Sequence, residues 1–286
     1  MGMSLSYLWY LSEKGHLPPK ARLLDIGASY LYNVTPADVV RFAQKHGSRS
    51  VPQSTAEDIA ERSNLIPGRQ MLFLSELLDH TDIDYVSYDV CPGVKTTVFD
   101  LNRQNLPDAV KGTFDVVLNF GTTEHVINQL NTFKIIHEAL KVNGVAFHQS
   151  PSIGYVNHGY FCYHQRFYDD LQIANSYEEL DKWYTKATLC GPPELDFRDA
   201  EKPLQVGSGA KSEIPVDIPC CNLNVLHRKT SGGAFRVSLE LSTSHSGLAQ
   251  EVSAIHLEDP VVHQTRAVDL LASLLKRGAA RLGLRF

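Results

Sequence analysis

Leu23-Leu24-Asp25-Ile26-Gly27-Ala28-Ser29 is a short apolar run that ends in an acid and a glycine, the pattern of a buried strand feeding a tight turn. Gly27 has no Cβ, so backbone there can approach a bound ligand closely. Similar endings recur along the chain. Tyr85-Val86-Ser87-Tyr88-Asp89 closes a second strand in a carboxylate, which in that place can accept both hydroxyl hydrogens of a ribose. Val98-Phe99-Asp100-Leu101-Asn102 closes a third strand the same way, and Phe114-Asp115-Val116-Val117-Leu118-Asn119-Phe120-Gly121 forms a fourth. In a helix over residues 126–140, Val126, Ile127, Leu130, Phe133, Ile136, Ala139 and Leu140 share one apolar face. Asn143-Gly144 stops it, and residues 144–149 read as a fifth strand. Alternation of strand and helix predicts an α/β fold with a mostly parallel sheet, whose ligands bind outside the carboxyl ends of the strands.

Outward from this core the signals are local. A first helix falls over residues 4–13, and Pro18-Pro19 lead into the strand at 21–26. Thr35, Pro36 and Asp38 mark a helix start, with the hydroxyl as cap and proline at the first helical position. Helical pieces at 55–62 and 70–78 follow. Residues 150–215, rich in Tyr, His, Gly and Pro, read as a loop and helix elaboration at the mouth of the sheet. Strands at 223–227 and 235–241, with a turn at 230–233, read as a hairpin. An amphipathic helix with basic residues, about 260–281, closes the chain; it docks on its own sheet or on a second subunit in a homodimer.

At 286 residues, 43% hydrophobic and 21% charged, the chain is an ordinary globular protein, which excludes collagen, coiled coil and disorder. A formal charge of −5 disfavours nucleic acid or an anionic membrane as partner, so a small molecule is the default. The five cysteines, Cys91, Cys162, Cys190, Cys220 and Cys221, show no CxxC spacing and read as reduced thiols in a cytoplasm. No apolar stretch reaches the 18 or so residues of a membrane helix.

Taken in order, these segments resemble the class I S-adenosylmethionine-dependent methyltransferase family. Leu24-Asp25-Ile26-Gly27 resembles its first motif, Tyr88-Asp89-Val90 its ribose-binding strand end, Asp100-Leu101 its adenine-contacting segment, and Phe114 to Gly121 its fourth motif. Glu124-His125-Val126 and Leu140-Lys141-Val142-Asn143-Gly144 continue the match. The resemblance covers about residues 18–150, and the hairpin at 223–241 resembles the antiparallel pair that closes the family's sheet. It implies a Rossmann-like, mostly parallel seven-stranded sheet with helices on both faces and a C-terminal antiparallel hairpin. It also implies S-adenosylmethionine as cofactor and S-adenosylhomocysteine as product. The contacts it implies come from Asp25, Gly27, Ala28, Ser29, Asp89, Val90, Asp100, Leu101, Asn119 and Gly121. On this reading residues 1–286 are one domain, with its core at about 18–150 and 216–245, a helical insertion at about 30–80 and a substrate-side elaboration at about 150–215.

Three departures from the family stand out. Ala28, Ser29 and Tyr30 follow Gly27 where the family has further glycines; the interval from Gly27 to Asp89 is long; and about seven residues between Asp89 and Thr97 leave no room for a crossover helix. A dinucleotide oxidoreductase would show GxGxxG and an acid about 20 residues on, and this chain shows neither. A non-methylating enzyme or a degenerate binding protein on the same fold is the alternative function.

For the reacting end, His148 to Pro151 and Asn157 to Tyr168 are dense in histidine and tyrosine just after the fifth strand. Methyl transfer to a small molecule or glycan-type substrate needs placement within about 3–3.5 Å, and either a histidine base takes a hydroxyl's proton or, for a good nucleophile such as an amine, proximity alone suffices. His158 is the first candidate for that base and His125 the second, with His148, Tyr160, Tyr163 and His164 shaping the substrate side. His158, Cys162 and His164 lack a paired zinc motif, so no metal is expected.

Overall fold

Strand β2 (Arg22–Ile26) is buried along almost its whole length, as a strand covered by helices on both sides must be. The computed structural model describes residues 2–64, 71–155, 158–186 and 220–238. Beside β2 in parallel lie β4 (Asp84–Asp89) on one edge and β6 (Phe114–Phe120) on the other. β5 (Thr96–Val98) extends the sheet beyond β4, and β7 (Leu140–Ile153) extends it beyond β6, both parallel. β9 (Cys221–Lys229) then pairs antiparallel with β7, and β8 (Tyr177–Lys186) pairs antiparallel with β9 at the edge. The seven-stranded order is β5-β4-β2-β6-β7-β9-β8. Because the chain runs from β2 out to β5 and returns to β6, the order reverses between β2 and β6, where open α/β sheets bind ligands.

Alternate residues of each strand feed two cores. Leu23, Val116, Leu118, Phe120 and Phe147 face the core of α1 (Ser6–Glu13), α2 (Pro36–His46), α3 (Gln53–Ser63) and α4 (Leu74–Leu78). Leu24, Ile26, Val117, Ala146 and Val225 face α5 (Gln129–Ala139) and α6 (Gln165–Asn175). The start of α2 follows the expected chemistry: Thr35 Oγ1 accepts from Asp38 N at 3.1 Å while the Asp38 carboxylate accepts from Thr35 N at 3.1 Å. The stretch between Asp89 and β5 contains no helix, as its length requires. A small parallel pair, β1 (Gly2–Ser4) with β3 (Tyr30–Tyr32), lies outside the main sheet.

Several expectations need correction. The antiparallel pair exists, but its second strand is β8, inside the segment read as elaboration; residues 231–238 form no strand. Arg236 N donates to Asn175 Oδ1 and Arg236 O accepts from Asn175 Nδ2, so a side chain on α6 takes the hydrogen bonds a sheet partner would have taken. Residues 239–241 and the helix at 260–281 lie outside the described residues. β8 was hidden by its charges, which suit an edge strand: Lys182 Nζ reaches Asp169 at 2.6 Å and Glu179 at 2.8 Å. α5 starts later than its apolar pattern suggests, because the Asn128 side chain caps it by accepting from Asn131 N at 3.1 Å. Ile127 and Leu130 consequently lie on the exposed side. Gly144 does not begin the fifth strand, since β7 already starts at Leu140.

The end of α5 is closed from the sheet. Lys229 on β9 is buried, and its Nζ donates to His137 O at 2.7 Å and Leu140 O at 3.1 Å, satisfying carbonyls that a helix C-terminus leaves open. Lys229→Met keeps the stem's volume and removes both bonds. We expect it to lower unfolding stability by about 1.5–3 kcal/mol, the range for hydrogen bonds to charged groups. Urea denaturation checks this; an unchanged midpoint would show that the ammonium contributes nothing net.

Candidate active site

The turn after β2 is held by two carboxylates. Asp25 is fully buried, and its Oδ2 accepts from Ser29 N at 2.9 Å and from the Tyr85 hydroxyl at 2.8 Å. Its Oδ1 has no hydrogen-bond partner among the described residues. Burial pushes the Asp25 carboxyl up to about 6, against the pull of the Ser29 amide and the Tyr85 hydroxyl. Asp89, at the end of β4, accepts from Ala28 N through Oδ2 and from Cys91 N through Oδ1, each at 2.9 Å. Between these anchors Gly27 sits at φ +95°, and a Cβ there would run into the Thr122 hydroxyl. That hydroxyl donates to Ile26 O at 2.5 Å, joining the segment after β6 to the end of β2 across the reversal point.

These residues fit S-adenosylmethionine. A carboxylate oxygen has two lone pairs, so Asp89 can keep its backbone donors and still accept ribose hydroxyls. Val90 is 65% exposed beside it and offers apolar surface for a base, and the side chain of Asp100 is 35% exposed after β5. Leu101 is buried beneath, and Gly121 closes β6 with φ +67°.

A second group lies two residues beyond Thr122. Glu124 is 1% exposed, with Oε1 at 3.9 Å from His125 Nε2 and 3.7 Å from His158 Nε2. The two imidazoles, 43% and 49% exposed, stand edge to face with centroids 5.2 Å apart. Burial pushes the Glu124 carboxyl up to about 7, and burial together with neighbouring His158 pushes His125 down. The loop bearing His158 is fastened to the acid: Tyr160 N and Phe161 N both donate to Glu124 O, at 2.7 and 3.2 Å. Gly159, at φ +71°, lies so close that a Cβ would stand 2.9 Å from Glu124 O.

The structure thus brings His125 and His158 together, and it separates them from the other candidates. His148 was expected to shape the substrate pocket, but it is 1% exposed inside the core, with Nδ1 3.1 Å from Asn119 Nδ2 and its ring against Phe133 and Tyr168. Burial, then the neighbouring His227, lowers its pKa well below the ordinary histidine range. Asn119, expected to touch cofactor, is buried in the same contact. Tyr163 is buried too, its hydroxyl donating to Gln129 Oε1 at 2.6 Å. His164 is exposed at the start of α6, and Tyr160 is open to solvent. Sequence reasoning quoted Glu124 as part of a motif and missed it as a site residue; an acid beside a histidine just past a buried strand was the available signal.

The methyltransferase-domain family matches residues 6–191, well over half of the chain. The chain belongs to this family and is a class I S-adenosylmethionine-dependent methyltransferase. Solved structures of similar fold include Burkholderia thailandensis 1,6-didemethyltoxoflavin-N1-methyltransferase, with bound 1,6-didemethyltoxoflavin and S-adenosylhomocysteine. It is 12% identical, with a TM-score of 0.41 over 77% of this chain and 75% of that one. The trans-methyltransferase CalH in complex with S-adenosylhomocysteine is 15% identical, with a TM-score of 0.38 over 77% and 53%. A methyltransferase from Archaeoglobus fulgidus is 10% identical, with a TM-score of 0.41 over 77% and 92%. No curated protein matches the chain in sequence. Among the described residues no helix is long and apolar enough to cross a membrane.

The Asp25 shift has a pH signature. Its carboxyl moves from an ordinary 3.8 to about 6, so the folded chain binds this proton more tightly than the unfolded one. The stabilisation is complete below about pH 4 and is lost as pH rises through about 6, a change of roughly 3 kcal/mol. Asp25→Asn cannot titrate, while Glu124 remains in both proteins. The stability difference between wild type and Asp25→Asn should therefore tilt against wild type between pH 4 and 7 in chemical denaturation. Parallel curves would show that the buried carboxyl is not shifted.

Proposed function

We propose that this methyltransferase acts in the cytoplasm on a hydroxyl of a small molecule or sugar-containing metabolite. The reading rests on one observation: Glu124, His125 and His158 converge two residues from the Thr122 hydroxyl that abuts Gly27. Bound S-adenosylmethionine supplies an electrophilic methyl group on a sulfonium. The chain's own part is then placement and proton handling. On this reading Asp89 and the Gly27–Ala28 backbone face the cofactor, while the cluster beyond Thr122 faces the acceptor. His158 Nε2 takes the acceptor's proton, with the Glu124 carboxylate 3.7 Å away to stabilise the imidazolium. His125 stands next to it as the second base. The scattered cysteines with no CxxC spacing support the cytoplasmic reading. The two histidines support an oxygen acceptor, whose proton they can take.

His158→Ala should leave S-adenosylhomocysteine affinity unchanged and lower single-turnover methyl transfer by about 10²- to 10⁴-fold, the span of general-base catalysis. His125→Ala should have the smaller effect. If neither variant slows the chemical step more than a few-fold on an identified acceptor, the enzyme works by placement alone and the acceptor is a good nucleophile such as an amine.

A further inference from the structure

Glu124 has features that an ordinary ion pair does not require. Its carboxyl is 1% exposed, yet Oε2 has no hydrogen-bond partner among the described residues. Its ion-pair contacts among those residues are the two histidines, with no lysine or arginine. Single ligand atoms of Glu124, His125 and His158 all lie within 4.8 Å of one another. The backbone of 159–161 is pinned to Glu124 O, so His158 is held beside the acid by main-chain bonds independent of its ring.

We propose that Glu124, His125 and His158 form a binding site for one divalent transition-metal ion. Imidazole and carboxylate ligands sit at about 2.0–2.2 Å from such an ion, which places tetrahedral ligands about 3.4 Å apart. The Glu124 Oε1 distances of 3.7 and 3.9 Å need to close by a few tenths of an ångström, and the histidine nitrogens, within 4.8 Å of each other, by at most about 1.4 Å. Two nitrogen donors favour zinc-like ions over magnesium or calcium, whose ligands are oxygens. A buried carboxylate that lacks a cation is costly, and an ion would satisfy it. Because three protein ligands leave a position open, the arrangement is that of a working site and not of a closed structural one. This replaces the expectation of no metal. It also regroups the residues, since His158 pairs with Glu124, while Cys162 points its thiol at Tyr155 O and His164 begins α6.

The inference deepens the proposed function, on which its catalytic meaning rests: with an ion bound, His125 and His158 would hold it through their lone pairs, and the open position would acidify a bound acceptor hydroxyl, whose proton would leave to solvent water instead of to His158. The site itself is tested without turnover. The full chain is stripped with a chelator and titrated with Zn²⁺ by calorimetry, and with S-adenosylhomocysteine in a separate run. Wild type should bind one Zn²⁺ that His125→Ala and His158→Ala each weaken by at least about a hundredfold, since even outer-shell changes reach that size. Glu124→Gln should do the same, and His164→Ala should not. Both histidine variants change exposed side chains, so a folding defect in Glu124→Gln would leave the test intact. Zn²⁺ binding that survives in both histidine variants, or none by wild type in the micromolar range, overturns the site. Binding of S-adenosylhomocysteine without Zn²⁺ removes the ion and leaves the methyltransferase reading standing. Binding of Zn²⁺ without S-adenosylhomocysteine keeps the site and removes that reading.

Discussion

A carboxylate buried at the end of the central strand sets the geometry of the turn that follows it. Asp25 ties Ser29 N, which lies beyond the turn, to the Tyr85 hydroxyl on the neighbouring strand, so the turn is anchored to two strands through one oxygen. Asp89 repeats the device from β4 by holding Ala28 N. With the turn fixed from both sides, Gly27 can stay at positive φ and Thr122 can close against it from β6. Position at the reversal of the sheet follows from topology; the shape of the cleft follows from these few side-chain to backbone bonds.

The same logic carries across to the reacting side. Thr122 fixes where the segment after β6 begins, and two residues later Glu124 is buried with its carbonyl holding the 159–161 loop. The two histidines meet because one follows Glu124 in sequence while the other is brought to it by that loop. A carboxyl this enclosed costs stability, and perturbed groups of this kind cluster at functional sites. On the proposed function, this cluster is where local stability gives way to chemistry.

Much of the fold was legible because its signals are local and periodic. The runs ending at Ile26, Asp89 and Phe120 show an apolar strand followed by a turn, and Thr35-Pro36-Asp38 carries its own cap. What escaped depended on contacts far apart in the chain. β8 reads as charged and polar until it is seen as an edge strand whose Lys182 is paired with Asp169 from α6. Phe235 and its neighbours read as a strand because nothing local reveals that Asn175 takes their hydrogen bonds. In the site, the prominence of histidines in 148–164 could not show which face inward: His148 turns into the core, whereas His158 turns back to Glu124.

The central claim, that the turn after β2 and the carboxylate after β4 hold the cofactor, is tested most directly by calorimetric titration of wild type and Asp89→Ala with S-adenosylhomocysteine. Charged hydrogen bonds are worth about 1.5–3 kcal/mol each, and water replaces part of what is lost. The account expects wild type to bind and Asp89→Ala to bind more weakly by about 2–3 kcal/mol, roughly 30- to 150-fold, with its circular dichroism spectrum essentially unchanged. An unaltered dissociation constant would place the ribose elsewhere, with Asp100 the next strand end to examine. Absence of binding by wild type would contradict the account outright.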